Sequence, residues 1–276
     1  MERLEGRVAL VTGGARGQGR SHARALARAG ATVIICDIDT QIESAPYTLA
    51  TRHELDDTVR EITDGGGRAV GFSLDVRDAE AVRQLIDNVV AVHGSLDILV
   101  ANAGICSFSP IDELSDDAWH DTVETNLSGV FYCLRAALPH MKSARFGRIV
   151  ATSSGAGRAG MANLGHYAAT KWGLIGLIKT VALETATYGI TANVICPTTV
   201  ATPMVLNDST FHLFCPEIDH PTIEDARPRF EALTPMGVAW LEPEDVTRAL
   251  MYFVDDPGLT SGTVLEVNLA TSANRT

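Results

Sequence analysis

The sequence predicts a protein of the α/β class, and two observations carry that prediction. Short apolar runs rich in Val, Ile and Ala alternate with longer helix-like segments, without repeats or linkers. Such alternation produces a parallel sheet covered by helices on both faces. The chain has 276 residues and is 46% hydrophobic, which suits one large domain with a sizeable core.

Seven apolar runs are predicted to be the strands. They lie near residues 7–12, 31–37, 68–74, 96–102, 147–153, 190–196 and 263–268. Helices fill the gaps, and the longer ones are predicted near 116–143 and 166–187. These elements predict a single-domain Rossmann fold over residues 1–276, with a doubly wound seven-stranded parallel sheet.

A glycine-rich turn follows the first strand. Residues 12–19 read Thr-Gly-Gly-Ala-Arg-Gly-Gln-Gly, and residues 21–29 have a helical composition. A strand, a glycine turn and a helix together present backbone N–H groups to a pyrophosphate. An ordinary strand-to-helix turn is the alternative, because the spacing differs from the commoner Gly-x-Gly-x-x-Gly. The candidate cofactor contacts here are Gly13, Arg16, Gly17, Gln18 and Gly19.

Asp37 ends the second predicted strand, 18 positions after Gly19. An acid there can accept hydrogen bonds from an adenosine ribose diol and repels a 2′-phosphate, which favours NAD over NADP. Arg16 is an opposing signal, because a basic residue in the turn can contact a 2′-phosphate. We give Asp37 more weight, since Arg16 could equally pair with Asp37 or with the pyrophosphate.

Tyr167 and Lys171 are separated by one helical turn, so their side chains share a helix face. An ammonium group beside a phenol favours the phenolate, and Lys171 is therefore predicted to lower the pKa of Tyr167. A phenol shifted in this way is a useful proton carrier. Taken alone, such a pair more often belongs to a solvated helix face.

With these features the sequence resembles the short-chain dehydrogenase/reductases over nearly its whole length. The matching pieces are Thr12-Gly13-x-x-x-Gly17-x-Gly19, Asp75-Val76, Asn102-Ala103-Gly104, Asn126, Ser154, and Tyr167 with Lys171. The resemblance implies an NAD-dependent oxidoreductase acting on a CH–OH group. It also implies cofactor contacts at Asp75, Val76, Asn102, Ala103, Gly104, Tyr167, Lys171, Pro197, Val200 and Thr202.

The resemblance assigns the catalytic roles to four residues. Tyr167 would take the alcohol proton, and Ser154 would orient the substrate oxygen. Lys171 would hold the nicotinamide ribose, and Asn126 would anchor a water that relays protons from Lys171. The alternatives are a loop serine that caps nearby backbone at 154 and a buried, satisfied asparagine at 126. Ser153 is the less favoured serine.

A finer resemblance points to the mycofactocin-coupled, carveol-dehydrogenase-like subgroup. It rests on residues 14–20, an extended segment at 38–55, residues 197–204 and residues 214–216. It implies NAD that does not exchange and electrons passed to mycofactocin, a peptide-derived carrier. The 38–55 segment would be a lid over the adenosine end of the cofactor. A tolerated surface insertion is the alternative.

The irregular region at 198–243 is the predicted substrate loop. Predicted pocket residues are Ser107, Ala156, Met161, Met204 and Phe214. Because the predicted pocket is mostly apolar, we expect a hydrophobic secondary alcohol or its ketone, and carveol fits the resemblance. His166 is interpreted as a spacer on its helix.

Composition limits the remaining possibilities. The net charge of −12 argues against nucleic acid and anionic membrane partners. Five cysteines show neither a disulfide framework nor metal-ligand spacing, and only Cys215 lies in a loop that could expose it. The sequence shows no leader and no spanning segment, so a cytoplasmic location is expected. The family resemblance implies a homotetramer.

Three functions remain open on the sequence. The first is an NAD-dependent alcohol dehydrogenase with tightly held cofactor. The second is a freely exchanging NAD(P)-dependent ketone reductase, and the third is a non-enzymatic nucleotide-binding scaffold. The combination of Asn126, Ser154, Tyr167 and Lys171 argues against the scaffold, which has no need of it.

Overall fold

A computed structural model describes residues 3–273 and contains one sheet of seven parallel strands. The strands are β1 (Val8–Thr12), β2 (Thr32–Asp37), β3 (Arg68–Ser73), β4 (Ile98–Ala101), β5 (Gly147–Thr152), β6 (Ile190–Pro197) and β7 (Val264–Val267). Their order across the sheet is β3-β2-β1-β4-β5-β6-β7, and every neighbouring pair is parallel. The fold prediction is confirmed, and each predicted strand is present with ends shifted by a few residues.

Alternating residues of the central strands bury both faces of the sheet. Leu10 pairs in register with Ile34 and Leu99, and all three lie in one core with helices α3, α5 and α6. Val11 and Val100 point to the opposite face, where α1, α2 and α9 cover them. Such continuous apolar strands are typical of a parallel sheet buried on both sides.

Nine α-helices occur in the described residues. They are α1 (Gly17–Arg28), α2 (Arg52–Asp64), α3 (Ala79–His93), α4 (Asp116–Val123), α5 (Gly129–Ala144), α6 (Gly165–Thr185), α7 (Asp208–Phe214), α8 (Ile223–Leu233) and α9 (Pro243–Asp255). A π-helical turn, Glu124–Ser128, joins α4 to α5. The helix predicted near 116–143 is therefore present but has a widened turn at its centre.

The two irregular regions are shorter than predicted because helices occupy part of each. Thr51 and Glu54 form a reciprocal capping box that starts α2 at Arg52, so the insertion ends before residue 52. The 198–243 region contains α7 and α8, which pack together around Phe211 and Phe230.

All five cysteines are free and buried. The expectation that Cys215 could be exposed was wrong, because its side chain lies inside the α7–α8 cluster and is fully buried. Within residues 3–273, no helix is long and apolar enough to cross a membrane.

Candidate active site

The strand order reverses between β1 and β4, and a network centred on Asn102 fixes this edge of the sheet. The hydroxyl of Thr12 accepts hydrogen bonds from the backbone N–H groups of Asn102 and Ala103, at 3.0 and 3.1 Å. The Asn102 amide donates to the carbonyls of Thr12 and Gly13, both at 3.1 Å. In open α/β sheets, ligands bind at such a reversal, beyond the carboxyl ends of the strands.

A cleft opens at this reversal, and many of the predicted cofactor residues line it. These are Gly13, Arg16, Gly17, Gln18, Asp37, Asp75, Val76, Asn102, Ala103, Gly104 and Thr202, joined by the predicted pocket residue Met204. The cleft lining does not include the other predicted cofactor residues, which are Gly19, Tyr167, Lys171, Pro197 and Val200. The structure therefore gathers the glycine turn, the β2 end and the β4 end around one space.

The cleft also has lining residues beyond the predicted cofactor contacts. They are Ile38, Ile42, Tyr47, Leu49, Ala50, Leu74, Ile105, Thr125 and Pro203. Five of them, from Ile38 to Ala50, belong to the insertion. Because the sequence predicted that this segment covers the cofactor, these five residues could have been predicted to line the cleft. Ile105 follows the Asn102-Ala103-Gly104 motif, which made it a candidate for the pocket wall, whereas nothing in the sequence distinguished Thr125 from core residues.

Two glycines of the turn have no room for a side chain. A Cβ atom at Gly19 would lie 2.0 Å from the carbonyl oxygen of Gly13. At Gly13, where φ is +63°, a Cβ atom would lie 2.8 Å from the Cα atom of Ala103. The turn is thus pressed against the β4 end, and a side chain at either position would displace it.

Asp37 is tied to the glycine turn by two backbone hydrogen bonds. Its carboxylate accepts from Ala15 N–H and from Ile38 N–H, both at 2.9 Å. Burial raises the pKa of Asp37 to about 6, against the opposing effect of these bonds and of the nearby Arg16 charge. A carboxylate so placed is ready to accept further donors once it is ionised.

Arg16 contacts the insertion. Its guanidinium donates to the carbonyl of Thr48 and lies 3.5 Å from a carboxylate oxygen of Glu54. Arg16 was the sequence signal that favoured NADP. Because its side chain instead holds the insertion against the glycine turn, that signal is weakened.

The insertion is folded around Gln41 and attached at two further points. The Gln41 amide donates to three insertion carbonyls and accepts from Leu49 N–H at 3.0 Å. The hydroxyl of Tyr47 accepts from Cys106 N–H at 3.1 Å, and Ser44 donates to Asp121 at 2.8 Å. Apolar insertion side chains pack on Ile105. The insertion therefore has more hydrogen bonds and apolar contacts than a mobile surface loop has.

Asp75 is engaged by a neighbouring arginine. The guanidinium of Arg77 donates to both Asp75 carboxylate oxygens and, at 2.7 Å, to Asp121. Because of these bonds the pKa of Arg77 lies above its ordinary value. Asp75 lines the cleft, and its carboxylate is already paired with Arg77.

The structure separates the two candidate serines at the end of β5. Ser153 is buried and its hydroxyl donates to the Lys171 carbonyl at 2.8 Å, which fixes β5 to α6. Ser154 accepts from Ala156 N–H at 3.1 Å, and its side chain lies close enough to the Tyr167 phenol to oppose the rise of that phenol's pKa. Ser154 is thus the serine that faces Tyr167, although it also caps local backbone.

Lys171 and Asn126 both lie against Gly104, where a Cβ atom would be 3.5 Å from Lys171 Nζ and 3.2 Å from Asn126 Oδ1. The Lys171 ammonium is buried, donates to the Thr152 carbonyl at 2.9 Å, and lies 5.4 Å from the centre of the Tyr167 ring. Asn126, in the π-helical turn, donates to the Ile105 carbonyl at 2.9 Å and accepts from Ile105 N–H at 2.8 Å. The Asn126 side chain is therefore satisfied by the loop after β4, as the structural alternative proposed. π-Helical turns are frequent at functional sites.

Burial governs the pKa values of the Tyr167–Lys171 pair. It raises the pKa of Tyr167 well above the ordinary tyrosine value, and the Ser154 hydrogen bond opposes that rise. Burial lowers the pKa of Lys171 to about 8. The prediction that the Tyr167 pKa lies below its ordinary value was wrong, because desolvation disfavours the charged forms of both residues.

The five predicted substrate residues do not share one environment. Met204 lines the cleft and Ala156 is buried. Met161 is 39% exposed, and Phe214 packs on Phe230 with ring centres 4.5 Å apart. Ser107 lies beside α6, where its hydroxyl is 2.9 Å from His166 Nε2.

The loop after β6 contributes the last predicted contacts. Pro197 ends β6. Val200 is buried on the face of the sheet that α1, α2 and α9 cover, in the same cluster as Leu241. Thr202 reaches the cleft near Gly17. The loop therefore closes over the N-terminus of α1.

A glycine turn against a helix N-terminus, an acid ending β2, and a Ser–Tyr–Lys group at the same sheet edge define a dinucleotide-binding oxidoreductase. The short chain dehydrogenase family model matches residues 7–211. The chain belongs to the short-chain dehydrogenase family.

One relative by sequence and two solved structures are similar to the chain over nearly its whole length. It is 39% identical over 275 residues to (-)-trans-carveol dehydrogenase from Rhodococcus erythropolis, covering 99% of each chain. The structure of carveol dehydrogenase from Mycobacterium avium in complex with NAD superposes with a TM-score of 0.95, at 38% identity over 98% of this chain and 99% of that one. An NAD-bound short chain dehydrogenase from Mycobacterium paratuberculosis gives a TM-score of 0.88, at 30% identity over 98% and 99%.

Proposed function

We propose that this protein is an NAD-dependent oxidoreductase that interconverts a hydrophobic secondary alcohol and its ketone. The observation that carries the proposal is the grouping of Ser154, Tyr167 and the buried Lys171 beside the cleft residue Gly104. The NAD-bound relatives support the choice of cofactor, and the carveol dehydrogenases support a terpenoid, carveol-like alcohol.

The cleft residues fit a dinucleotide. Gly13 lines the cleft and has no room for a side chain, so its backbone forms that part of the wall. The N-terminus of α1 offers a favourable position for a pyrophosphate. Asp37 accepts the adenosine ribose hydroxyls, and its charge disfavours a 2′-phosphate. Lys171, Val200 and Thr202 hold the nicotinamide end.

Ser154 and Tyr167 act on the reacting oxygen. Ser154 orients this oxygen. Tyr167 donates its phenol proton to a ketone in the reduction and, as the phenolate, takes the proton of an alcohol in the oxidation. Bound NAD supplies the acceptor for the hydride that leaves the alcohol carbon. Lys171 fixes the geometry of the phenol, and Asn126 holds the loop after β4 against α6.

The insertion forms a lid that holds NAD tightly, so that an external carrier, mycofactocin, reoxidises it. Three attachments support this role: Arg16 to Thr48, Tyr47 to Cys106, and Ser44 to Asp121. We would denature the purified protein after extensive dialysis and identify the released nucleotide. Stoichiometric NAD supports the lid, whereas a protein that emerges empty and binds NAD reversibly contradicts it.

Tyr167→Phe tests the catalytic assignment. It should lower turnover of carveol, with an artificial electron acceptor present, by about 10²–10⁴-fold while NAD remains bound. Turnover by the variant within tenfold of wild type contradicts the role of Tyr167. A wild-type protein inactive on a panel of secondary alcohols contradicts the proposed function itself.

The assembly proposed is a homotetramer built through α5 and α6. Large apolar side chains on these helices are exposed, including Trp172 at 51% and Leu183 at 83%, and such positions suit an interface between copies. Light scattering after size exclusion measures the mass of the assembly. A monomer at micromolar concentration contradicts the tetramer.

A further inference from the structure

Ser107 and His166 form a buried polar pair that the proposed mechanism does not use. The Ser107 hydroxyl lies 2.9 Å from His166 Nε2. His166 is fully buried, and it directly precedes Tyr167 near the start of α6. Burying an imidazole with a single hydroxyl partner costs free energy. The sequence predicted that His166 is only a spacer, but this burial indicates that the Ser107–His166 pair has a role.

The loops that carry the pair are fastened together. Ser109 N–H donates to the Asn163 carbonyl at 2.9 Å, and Ser109 forms an isolated parallel bridge with Leu164. The segment after β4 therefore runs beside the segment that leads into α6. This pairing fixes Ser107 at a constant distance from the start of the helix that carries Tyr167.

The protonation state of His166 determines which way the Ser107 proton points. Burial lowers the pKa of His166, so the ring is neutral and carries one N–H. Within residues 3–273, His166 Nδ1 has no hydrogen-bond partner. A buried unpaired N–H is rarer than an unpaired acceptor, which favours the proton on Nε2. The ring then donates to Ser107, and the Ser107 hydroxyl proton is free for another acceptor.

That acceptor is not the reacting oxygen. Successive residues on a helix project about 100° apart, so His166 and Tyr167 address different sides of the site. Ser154 faces the Tyr167 phenol, and these two groups are the proposed partners of the reacting oxygen. Ser107 belongs to another loop, is held by His166 and is only half-buried, so its hydroxyl proton is available to a different position on a bound substrate.

We propose that Ser107 is a specificity residue that donates to a second oxygen of the substrate, with His166 as its positioning residue. The inference rests on the proposed function and narrows its substrate class. The preferred substrates are cyclic secondary alcohols that carry a second oxygen, such as a hydroxyl or carbonyl group, in place of plain hydrocarbon alcohols. A donor left without its acceptor penalises the plain alcohol.

The test compares cyclohexanol with the 1,2-, 1,3- and 1,4-cyclohexanediols, using holoenzyme and an artificial electron acceptor. In wild type, kcat/KM for the best diol should exceed that for cyclohexanol. Ser107→Ala should lower kcat/KM for that diol about tenfold more than for cyclohexanol, mainly through KM, because the bond forms before the chemical step. Ser109→Ala, two residues along the same loop with its hydroxyl bonded to Pro110, should leave the ratio unchanged.

His166 variants separate positioning from packing. His166→Gln keeps an N–H donor near the Nε2 position and should retain the preference for the diol, whereas His166→Leu should lose it. Nitrogen NMR of the wild-type protein should find His166 neutral with its proton on Nε2, whether or not the variants fold.

Three results would overturn the inference. They are an unchanged diol-to-cyclohexanol ratio in Ser107→Ala, equal ratios in the two His166 variants, and a proton on Nδ1. Any of these leaves the proposed function standing if Tyr167→Phe still abolishes turnover of both alcohols. A wild-type protein inactive on every alcohol overturns the proposed function and this inference together.

Discussion

The hydroxyl of Tyr47 accepts a hydrogen bond from the backbone N–H of Cys106 at 3.1 Å. This bond connects the insertion after β2 to the loop after β4. Cys106 lies between the cleft residue Ile105 and Ser107. One phenol therefore connects the insertion to the loop that carries both Ile105 and Ser107.

Tyr47→Phe is expected to speed the release of NAD. The ring would keep its packing with Ile42 and Ile105, but Cys106 N–H would lose its partner, at a cost of about 1 kcal/mol. The release rate should rise about fivefold, measured by trapping released NADH in a stopped-flow instrument. Tyr252→Phe, on the 58% exposed Tyr252 of α9, should not change the rate. Equal rates in both variants would show that the Tyr47 bond does not retain the cofactor.

NAD affinity is expected to fall as the pH drops through about 6, where Asp37 takes up a proton in the free protein. Only the ionised carboxylate can accept both ribose hydroxyls, so the Kd should rise about tenfold between pH 7 and pH 5. Asp37→Asn should bind more weakly at pH 7 and lose this pH dependence. It should also discriminate less against NADP. Calorimetric titration across this range checks it, and a wild-type Kd that stays flat contradicts it.

The free energy of unfolding of Lys171→Met is expected to fall furthest below that of wild type at high pH. Burial lowers the Lys171 pKa from 10.5 to about 8, so between these values the unfolded chain binds more protons than the folded one. The Lys171 contribution to the free energy of unfolding therefore rises with pH across that window, by about 3 kcal/mol. Urea unfolding of both proteins at pH 7.5 and pH 10.5 measures the difference, in which other titrating groups cancel. A difference independent of pH contradicts a depressed Lys171 pKa.

Gly19→Ala is expected to destabilise the protein by about 1–3 kcal/mol, because its methyl group would overlap the Gly13 carbonyl. NAD affinity should fall with it, since the glycine turn must move. Gly176→Ala is the matched control within α6, where a Cβ atom has no described neighbour within 4 Å. This control should gain about 0.5–1 kcal/mol from its higher helix propensity. Urea midpoints decide the matter, and equal effects of the two substitutions would contradict the tight turn.

Local patterns in the sequence were enough to predict the sheet. Continuous apolar runs such as residues 8–11 can be buried only between two layers of helices, and the glycine turn marks where the first strand ends. Chain order alone predicted that Gly13, Asp37 and Asn102 follow strand ends and so meet at one edge. Tyr167 and Lys171 were found by their one-turn spacing.

Only the tertiary structure decided the environments of these residues. The Tyr167 pKa depends on how much water packing removes around it, and no spacing along the chain contains that quantity. Ser153 and Ser154 are adjacent and chemically identical, so the path of β5 against α6 decides which one faces Tyr167. The pairs Tyr47–Cys106 and Ser107–His166 join residues 59 positions apart, because folding brings together loops whose contacts leave no periodic signal in the sequence.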